Sequence, residues 1–267
     1  MEKQIRNNQK AHNRLAEKYH DRHPEIYNEL EQNRLHESLI QASVLIKTES
    51  AEKIALDFGC GDGNLTNHLL SLNFTVVAAD VAVKFLRLVN KLFGPTPKLK
   101  TFVLNGQNLA GLNDNSFDLI ALYSVLHHLP DYLEILPELW RVTKKGGIIY
   151  LDHEVNENYW QRPTLLTEFY EQAGRNRKKS ILKRLSPNNL FNKFRRLLDP
   201  KFEPEGDIHV FPDDHIEWDK IKAILTGLGG EVVLENDYLL TSKNDQRGAF
   251  EKFQDKVADM KVLIIRK

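Results

Sequence analysis

Apolar and polar positions along the chain alternate between two periods. Ile54-Ala55-Leu56-Asp57-Phe58 and Phe74-Thr75-Val76-Val77-Ala78-Ala79-Asp80 are short apolar runs, the pattern of strands buried in a parallel sheet. Between them Leu65, Leu69, Leu70 and Leu72 fit one face of a helix. Val83, Leu86, Val89, Asn90 and Phe93 predict a second such helix, stopped by Gly94-Pro95. Lys98–Leu104 reads as a third strand and Ser116–Tyr123 as a fourth. Leu133–Thr143 reads as a helix in which Pro137 marks a kink or a late start. Lys144–Gly147 is expected to turn into a fifth strand, Ile148–Asp152. Repeated strand–helix–strand units predict a doubly wound, mostly parallel α/β sheet.

Both ends depart from this alternation. Residues 1–20 are polar and read as helical or frayed, and a helix starting at His23-Pro24-Glu25 carries Ile26, Leu30, Leu35, Leu39 and Ile40. Residues 1–50 are therefore expected to form an N-terminal helical segment, and residues 51–267 the main domain. After Asp152 the pattern lapses until Gly229-Gly230, so about 154–228 reads as an inserted helical cap, with a helix starting at Ser186-Pro187-Asn188. Glu231–Leu240 and Lys261–Arg266 follow as strands without a full crossover between them, which predicts an antiparallel last strand in a sheet of seven.

The junction of the first strand and helix carries the chemistry. Asp57-Phe58-Gly59-Cys60-Gly61-Asp62-Gly63 places glycine at alternate positions, where the backbone can turn sharply and a ligand can approach. A dinucleotide fingerprint is spaced G-x-G-x-x-G, whereas here the pattern is G-x-G-x-G, with Asn64 next. Asp57 would repel a pyrophosphate and attract a cationic amine. Asp80 ends the second strand, where a carboxylate can hold ribose hydroxyls.

On these residues the chain resembles the class I S-adenosylmethionine-dependent methyltransferases. Asp57-x-Gly59-x-Gly61-x-Gly63 looks like their first motif and Asp80 like their acidic residue after the second strand. The resemblance is close over roughly residues 53–153 and returns in Ser124-Val125-Leu126-His127-His128-Leu129-Pro130. It implies S-adenosylmethionine as methyl donor, no metal, a Rossmann-like sheet with a reversed final strand, and helices before the first strand that cover the cleft. The residues implied for the donor are Asp57, Gly59, Gly61, Gly63, Asp80, Val81, Asn105, Gly106 and Tyr123. Asn105 stands where many relatives carry Asp, and its side-chain carbonyl retains an acceptor for the adenine amino group. Tyr19, His20 and Arg34 lie in the covering segment and either face the ligands or pack as ordinary helix residues.

Methyl transfer from a sulfonium needs the acceptor held in line and water excluded. An oxygen or nitrogen acceptor also needs somewhere for its proton to go. His128 is the first candidate, with His127 and His153 beside it and Asp152 and Glu154 near the same strand ends. The alternative is that the paired histidines brace their loop. Gly206–His215 holds further histidines and carboxylates, but its spacing matches no metal motif and a capped loop is expected there. Tyr19, Trp160 and His209 are candidates for the acceptor side.

Composition narrows the partners. Lys plus Arg and Asp plus Glu number 37 each, so no global field draws the chain to nucleic acid or membrane. One cysteine, Cys60, excludes an intrachain disulfide, and neither a signal peptide nor a membrane span is evident, so a cytoplasmic protein is expected. The run 175–196 is basic without an acid, and reads as a solvated helix face or as a contact for an anionic ligand, a membrane surface or RNA. The expected activity is transfer of a methyl group to a small-molecule oxygen or nitrogen. The alternatives are a non-catalytic donor-binding module, or a methyltransferase acting on RNA or an anionic lipid or glycan.

Overall fold

The computed structural model describes residues 2–15, 19–175, 207–246 and 248–267. Its sheet has seven strands: β1 (Ile54–Phe58), β2 (Thr75–Asp80), β3 (Leu99–Val103), β4 (Phe117–Tyr123), β5 (Thr143–Val155), β8 (Glu231–Tyr238) and β9 (Met260–Arg266). Their order is β3-β2-β1-β4-β5-β9-β8. The first five run parallel, and β9 lies antiparallel between β5 and β8. The expected sheet with a reversed last strand is therefore present, except that the reversed strand lies inside the edge. The strand order reverses between β1 and β4, which opens a crevice at the carboxyl ends of those strands.

Apolar side chains cover both faces. Leu56, Ile120, Ile149 and Leu263 point to one layer, and Ala55, Leu119, Tyr150 and Ile264 to the other. Helices α4 (Asn64–Ser71) and α5 (Val83–Phe93) follow the first two strands, as their periodicity indicated. Helix α6 (Leu136–Val142) starts only at Leu136, with Pro137 in its first turn, where a missing N–H costs nothing.

Three segments differ from expectation. Helix α3 covers Glu29–Val44 and not the stretch from Pro24, because Asn28 caps it by accepting from Glu31 N–H at 3.0 Å. Lys144–Gly147 lies within β5 instead of forming a separate turn. The register against β4 jumps there from Phe117↔Thr143 to Leu119↔Ile148, and Gly146 keeps the ladder by donating to Lys267 O and accepting from Lys47 N–H. β5 also runs past Asp152 to Val155, with a register break against β9 at 151–154.

Ahead of β1 lie α1 (Glu2–Leu15), α2 (Tyr19–Arg22) and α3. After β5 come α7 (Glu157–Gln161), α8 (Thr164–Ala173) and the hairpin β6 (Val210–Phe211) and β7 (Asp214–His215). Helix α9 (Trp218–Gly227) buries Trp218, Ile221 and Leu225 in the main core and contacts α6 and β8, so it packs as a sheet-layer helix although the expected cap ran to 228. Leu166, Phe169 and Tyr170 of α8 form a smaller core with Leu239 and with Ala249 and Phe253 of α10 (Ala249–Phe253). The helix expected from Ser186, and residues 176–196 of the basic run, lie outside the described residues.

Asp118 locks the far end of the sheet. It is fully buried, accepts from Ile54 N–H and Lys144 Nζ at 2.8 Å each, and also accepts from the Thr48 hydroxyl. Burial favours its neutral form, but these donors outweigh burial and hold the carboxyl below its ordinary value. Asp118→Ala takes the acceptor from Ile54 N–H and the counter-charge from Lys144, and since Lys144 keeps Ser50 and some solvent the expected loss is about 2–3 kcal/mol, below the full cost of a broken buried pair. Urea unfolding of the variant checks this. The depressed value means that the wild-type contribution is complete at neutral pH and fades as pH falls below the usual carboxylate range.

Candidate active site

The chain leaves β1 through three left-handed glycines, with φ of +76° at Gly59, +50° at Gly61 and +96° at Gly63. A Cβ on Gly59 would lie 2.6 Å from Val125 Cγ2, whereas one on Gly61 would meet nothing within 4 Å. Gly61 thus faces open space. Asp80 closes one side of that space. Its Oδ2 accepts from Gly61 N–H at 3.0 Å and its Oδ1 from Ala82 N–H at 2.7 Å. Burial pushes the Asp80 carboxyl up to about 6, against the opposing pull of the Ala82, Gly61 and Val81 N–H groups.

Helix α1 roofs this cleft. Gln9 Nε2 donates to Val81 O at 2.9 Å, Asn8 Nδ2 to His128 O at 2.6 Å, and Ile5 covers Gly106. With α1 in place the cleft holds about 110 Å³. That is below the roughly 300–1,000 Å³ of small-molecule sites, because Ile5, Asn8 and His12 line it from above.

A second, polar cavity of about 530 Å³ adjoins the first, and His12, Tyr19, Ser124 and His128 line both. Its walls include His127, His153 and Glu154 from β5 and the loop after β4, and Tyr159, Arg162 and Tyr170 from α7, α8 and their junction. His128 sits on a short turn, Leu126–His128, with its Nδ1 3.2 Å from Asp207 Oδ1. Burial lowers the His128 pKa and neighbouring His127 adds to this, while Asp207 opposes both. His127 Nδ1 lies 2.8 Å from Glu154 Oε2, and Glu154 Oε1 accepts from Leu126 N–H at 2.7 Å. Burial pushes His12 down to about 3, and its ring meets that of His128 edge-on at 4.7 Å.

The expected site residues divide between surface and support. Gly59, Gly61, Asp80, Val81, Gly106 and Tyr123 line the cleft. Asp57 does not; it is buried and accepts from Thr66 Oγ1 at 2.5 Å. Gly63 caps α4 against Phe93. The side-chain carbonyl of Asn105 is taken up by Gln107 and Asn108 N–H in a local turn, and Gln107 and Asn108 line the cleft in its place. Tyr123 donates to Glu31 Oε1 at 2.8 Å.

On the acceptor side, Tyr19 and His209 line the polar cavity, and His209 is braced between Asp214 and Leu129 O. Trp160 lines neither cavity and packs against Tyr159 and His215. His153 is held at φ +62° beside the β5 register break, its ring 4.5 Å from that of Tyr123. His20 stacks on Tyr27 at the surface. Arg34 and Asp152 form a buried network with Glu31, Tyr150 and Tyr238, so Asp152 is not placed to act as a base. Arg175, the first cation of the basic run, is paired with Asp245 at 2.6 Å and faces Asp259.

Sequence reasoning missed Asn8, His12 and Asp207. Asn8 and His12 lie on a polar helix whose pattern gives no hint of its docking site. Asp207 stood in a cluster read as a capped loop, and only the bonds of Ile208 and His209 N–H to His127 O bring it to His128.

Residues 56–151 match the family model described as Methyltransferase domain. The ubiquinone biosynthesis O-methyltransferase of Albidiferax ferrireducens is 31% identical over 97 residues, covering 36% of this chain and 38% of that protein. The 2-methyl-6-phytyl-1,4-hydroquinone methyltransferase of Synechocystis is 28% identical over 118 residues, 41% of this chain and 37% of its own length. The chain therefore spans about two-fifths of the curated relatives it matches. A solved S-adenosylmethionine-dependent methyltransferase from Mesorhizobium loti superposes with a TM-score of 0.55 at 15% identity, covering 85% of this chain and 96% of its own. The fold is thus the Rossmann-like fold of class I methyltransferases, and the resemblance read from the glycine turn holds. No helix among the described residues is long and apolar enough to cross a membrane.

Proposed function

We propose that the chain is an S-adenosylmethionine-dependent methyltransferase that transfers the methyl group to oxygen or nitrogen of a small-molecule acceptor by direct displacement. The observation that carries this reading is Asp80: a buried carboxylate at the end of β2, beside the open face of Gly61 and lining the same cleft as His128. In this reading Asp80 holds the donor's ribose, the Gly59–Gly61 backbone lies under it, and Gly106, Gln107 and Asn108 border the adenine. The methyl group then points to where the two cavities meet, at His128. The acceptor lies in the polar cavity, with Tyr19, His153 and His209 among its walls. His128 is the side chain placed to act on the acceptor's hydroxyl or amine, with His127 beside it.

The named relatives act in quinone biosynthesis or on a hydroquinone, which supports a small acceptor over a nucleic acid. Of the N-terminal segment, α1 serves as a cover that shifts to admit the donor, since it roofs the cleft, whereas α3 is packed into the core against the sheet. The described part of the cap comprises α7, α8 and the β6–β7 hairpin. Pairing of Arg175 with Asp245 and Asp259 weakens the reading of an RNA or anionic-lipid surface at that residue.

Titration of the full chain with S-adenosylmethionine separates an enzyme from a non-catalytic module. A dissociation constant in the micromolar range is expected, and binding weaker than millimolar sinks the assignment. Incubation of the protein and labelled donor with fractionated cell extract then identifies the acceptor by its gained label.

A further inference from the structure

We propose that His127, His128 and Asp207 hold a divalent first-row cation of the zinc and iron class at the head of the polar cavity. One ligand atom from each of the three residues lies within 4.8 Å of the others. His128 Nδ1 and Asp207 Oδ1 face each other at 3.2 Å as a buried His–Asp pair, and the pair is too poorly aligned to form a well-directed hydrogen bond. A cation held by both atoms would supply the directed partner that this alignment lacks. With metal bonds of roughly 2.0–2.2 Å, neighbouring ligand atoms in tetrahedral or octahedral geometry stand about 3.0–3.5 Å apart. The 3.2 Å separation of His128 Nδ1 and Asp207 Oδ1 falls within that range.

The surroundings fit the same ion. His127 pairs with Glu154, which is itself fixed by Leu126 N–H; a carboxylate behind a histidine is the usual support of a metal-bound imidazole. The segment carrying Asp207, just ahead of β6, is tied to His127 through Ile208 N–H at 2.9 Å, so the ligands from the two segments are brought together by backbone bonds. Two imidazoles and a carboxylate favour zinc, iron, cobalt or manganese over magnesium. Three protein ligands leave coordination positions open towards the cavity.

The role of the ion rests on the methyltransferase reading; its binding does not. An acceptor hydroxyl bound to the cation loses its proton to solvent. The resulting oxyanion attacks the sulfonium methyl, a C–O bond forms, and the S–C electron pair goes to sulfur. The products are the methyl ether, a neutral thioether and one proton, and the cation is unchanged. His128 then acts on the acceptor through the cation.

The full chain, stripped with chelator, is titrated with Zn²⁺ alone by calorimetry and with Co²⁺ alone by visible absorption, without donor or acceptor. One cation per chain is expected, with a ligand-field spectrum for Co²⁺. Affinity should fall by roughly tenfold or more in Asp207→Asn and in His128→Gln. It should not change in His36→Gln, which removes half of the separate His36–His68 pair. Urea midpoints and donor titration establish that each variant is folded. Absence of stoichiometric binding, wild-type affinity in Asp207→Asn and His128→Gln, or loss in His36→Gln overturns the proposal. Cation binding without donor binding would instead overturn the methyltransferase reading alone.

Discussion

Asp80→Ala is expected to weaken S-adenosylmethionine binding at least tenfold, and up to about a hundredfold, while the protein stays folded. Each ribose hydroxyl given to a carboxylate is a charge-assisted hydrogen bond worth about 1.5–3 kcal/mol at most. The buried position of Asp80 removes competing water, and its bonds to Gly61 and Ala82 N–H hold the carboxylate in place. The acid form offers a poorer acceptor, so pH provides a second readout. Because burial has raised the carboxyl to about 6, donor affinity should be level above that pH and decline below it. Asp80→Asn should flatten this dependence. Calorimetric titration of both variants across pH checks the expectation, and unchanged affinity in a folded Asp80→Ala protein removes the donor assignment.

His128→Gln is expected to lower turnover by about 10²-fold or more, with donor affinity within a few-fold of wild type. His128 borders both cavities, so it meets the acceptor where the methyl group would arrive. The hydrogen bond from α1 to this residue goes to the His128 carbonyl, which the substitution keeps, although the edge-on contact with the His12 ring is lost. Roofing of the donor should therefore persist. Single-turnover methyl transfer to the acceptor found in extract separates chemistry from binding. Full turnover at normal donor affinity would assign His128 to bracing its loop, and the acceptor chemistry would then belong elsewhere in the cavity.

The glycine turn and the end of β2 were legible because their signals are local. Gly59 and Gly61 must sit at positive φ, and Asp80 must end β2, whatever packs around them. Asn105 was expected to offer its side-chain carbonyl to the adenine, and that carbonyl accepts within its own turn. A short polar side chain before Gly106 satisfies its own backbone more readily than a distant ligand, and the bonds to Gln107 and Asn108 N–H show that outcome. Asp57 was read as facing a ligand, yet Thr66, one turn into α4, takes up its carboxylate beneath the glycine turn.

The sequence by itself determined the layered α/β sheet, the reversed last strand, the glycine turn and the place of Asp80. Periodicity, glycine conformation and strand ends are properties of a few neighbouring residues, and they survive being read one segment at a time. Only the tertiary structure decided that α1 roofs the cleft, that Arg34 and Asp152 neutralise each other behind it, and that Asp207 meets His127 and His128. Those facts depend on pairs separated by 72 to 120 positions in the chain, as between Gln9 and Val81 or Asn8 and His128. Such pairs form because a buried donor or acceptor left without a partner is costly, and the partner is set by how the layers pack rather than by any local pattern.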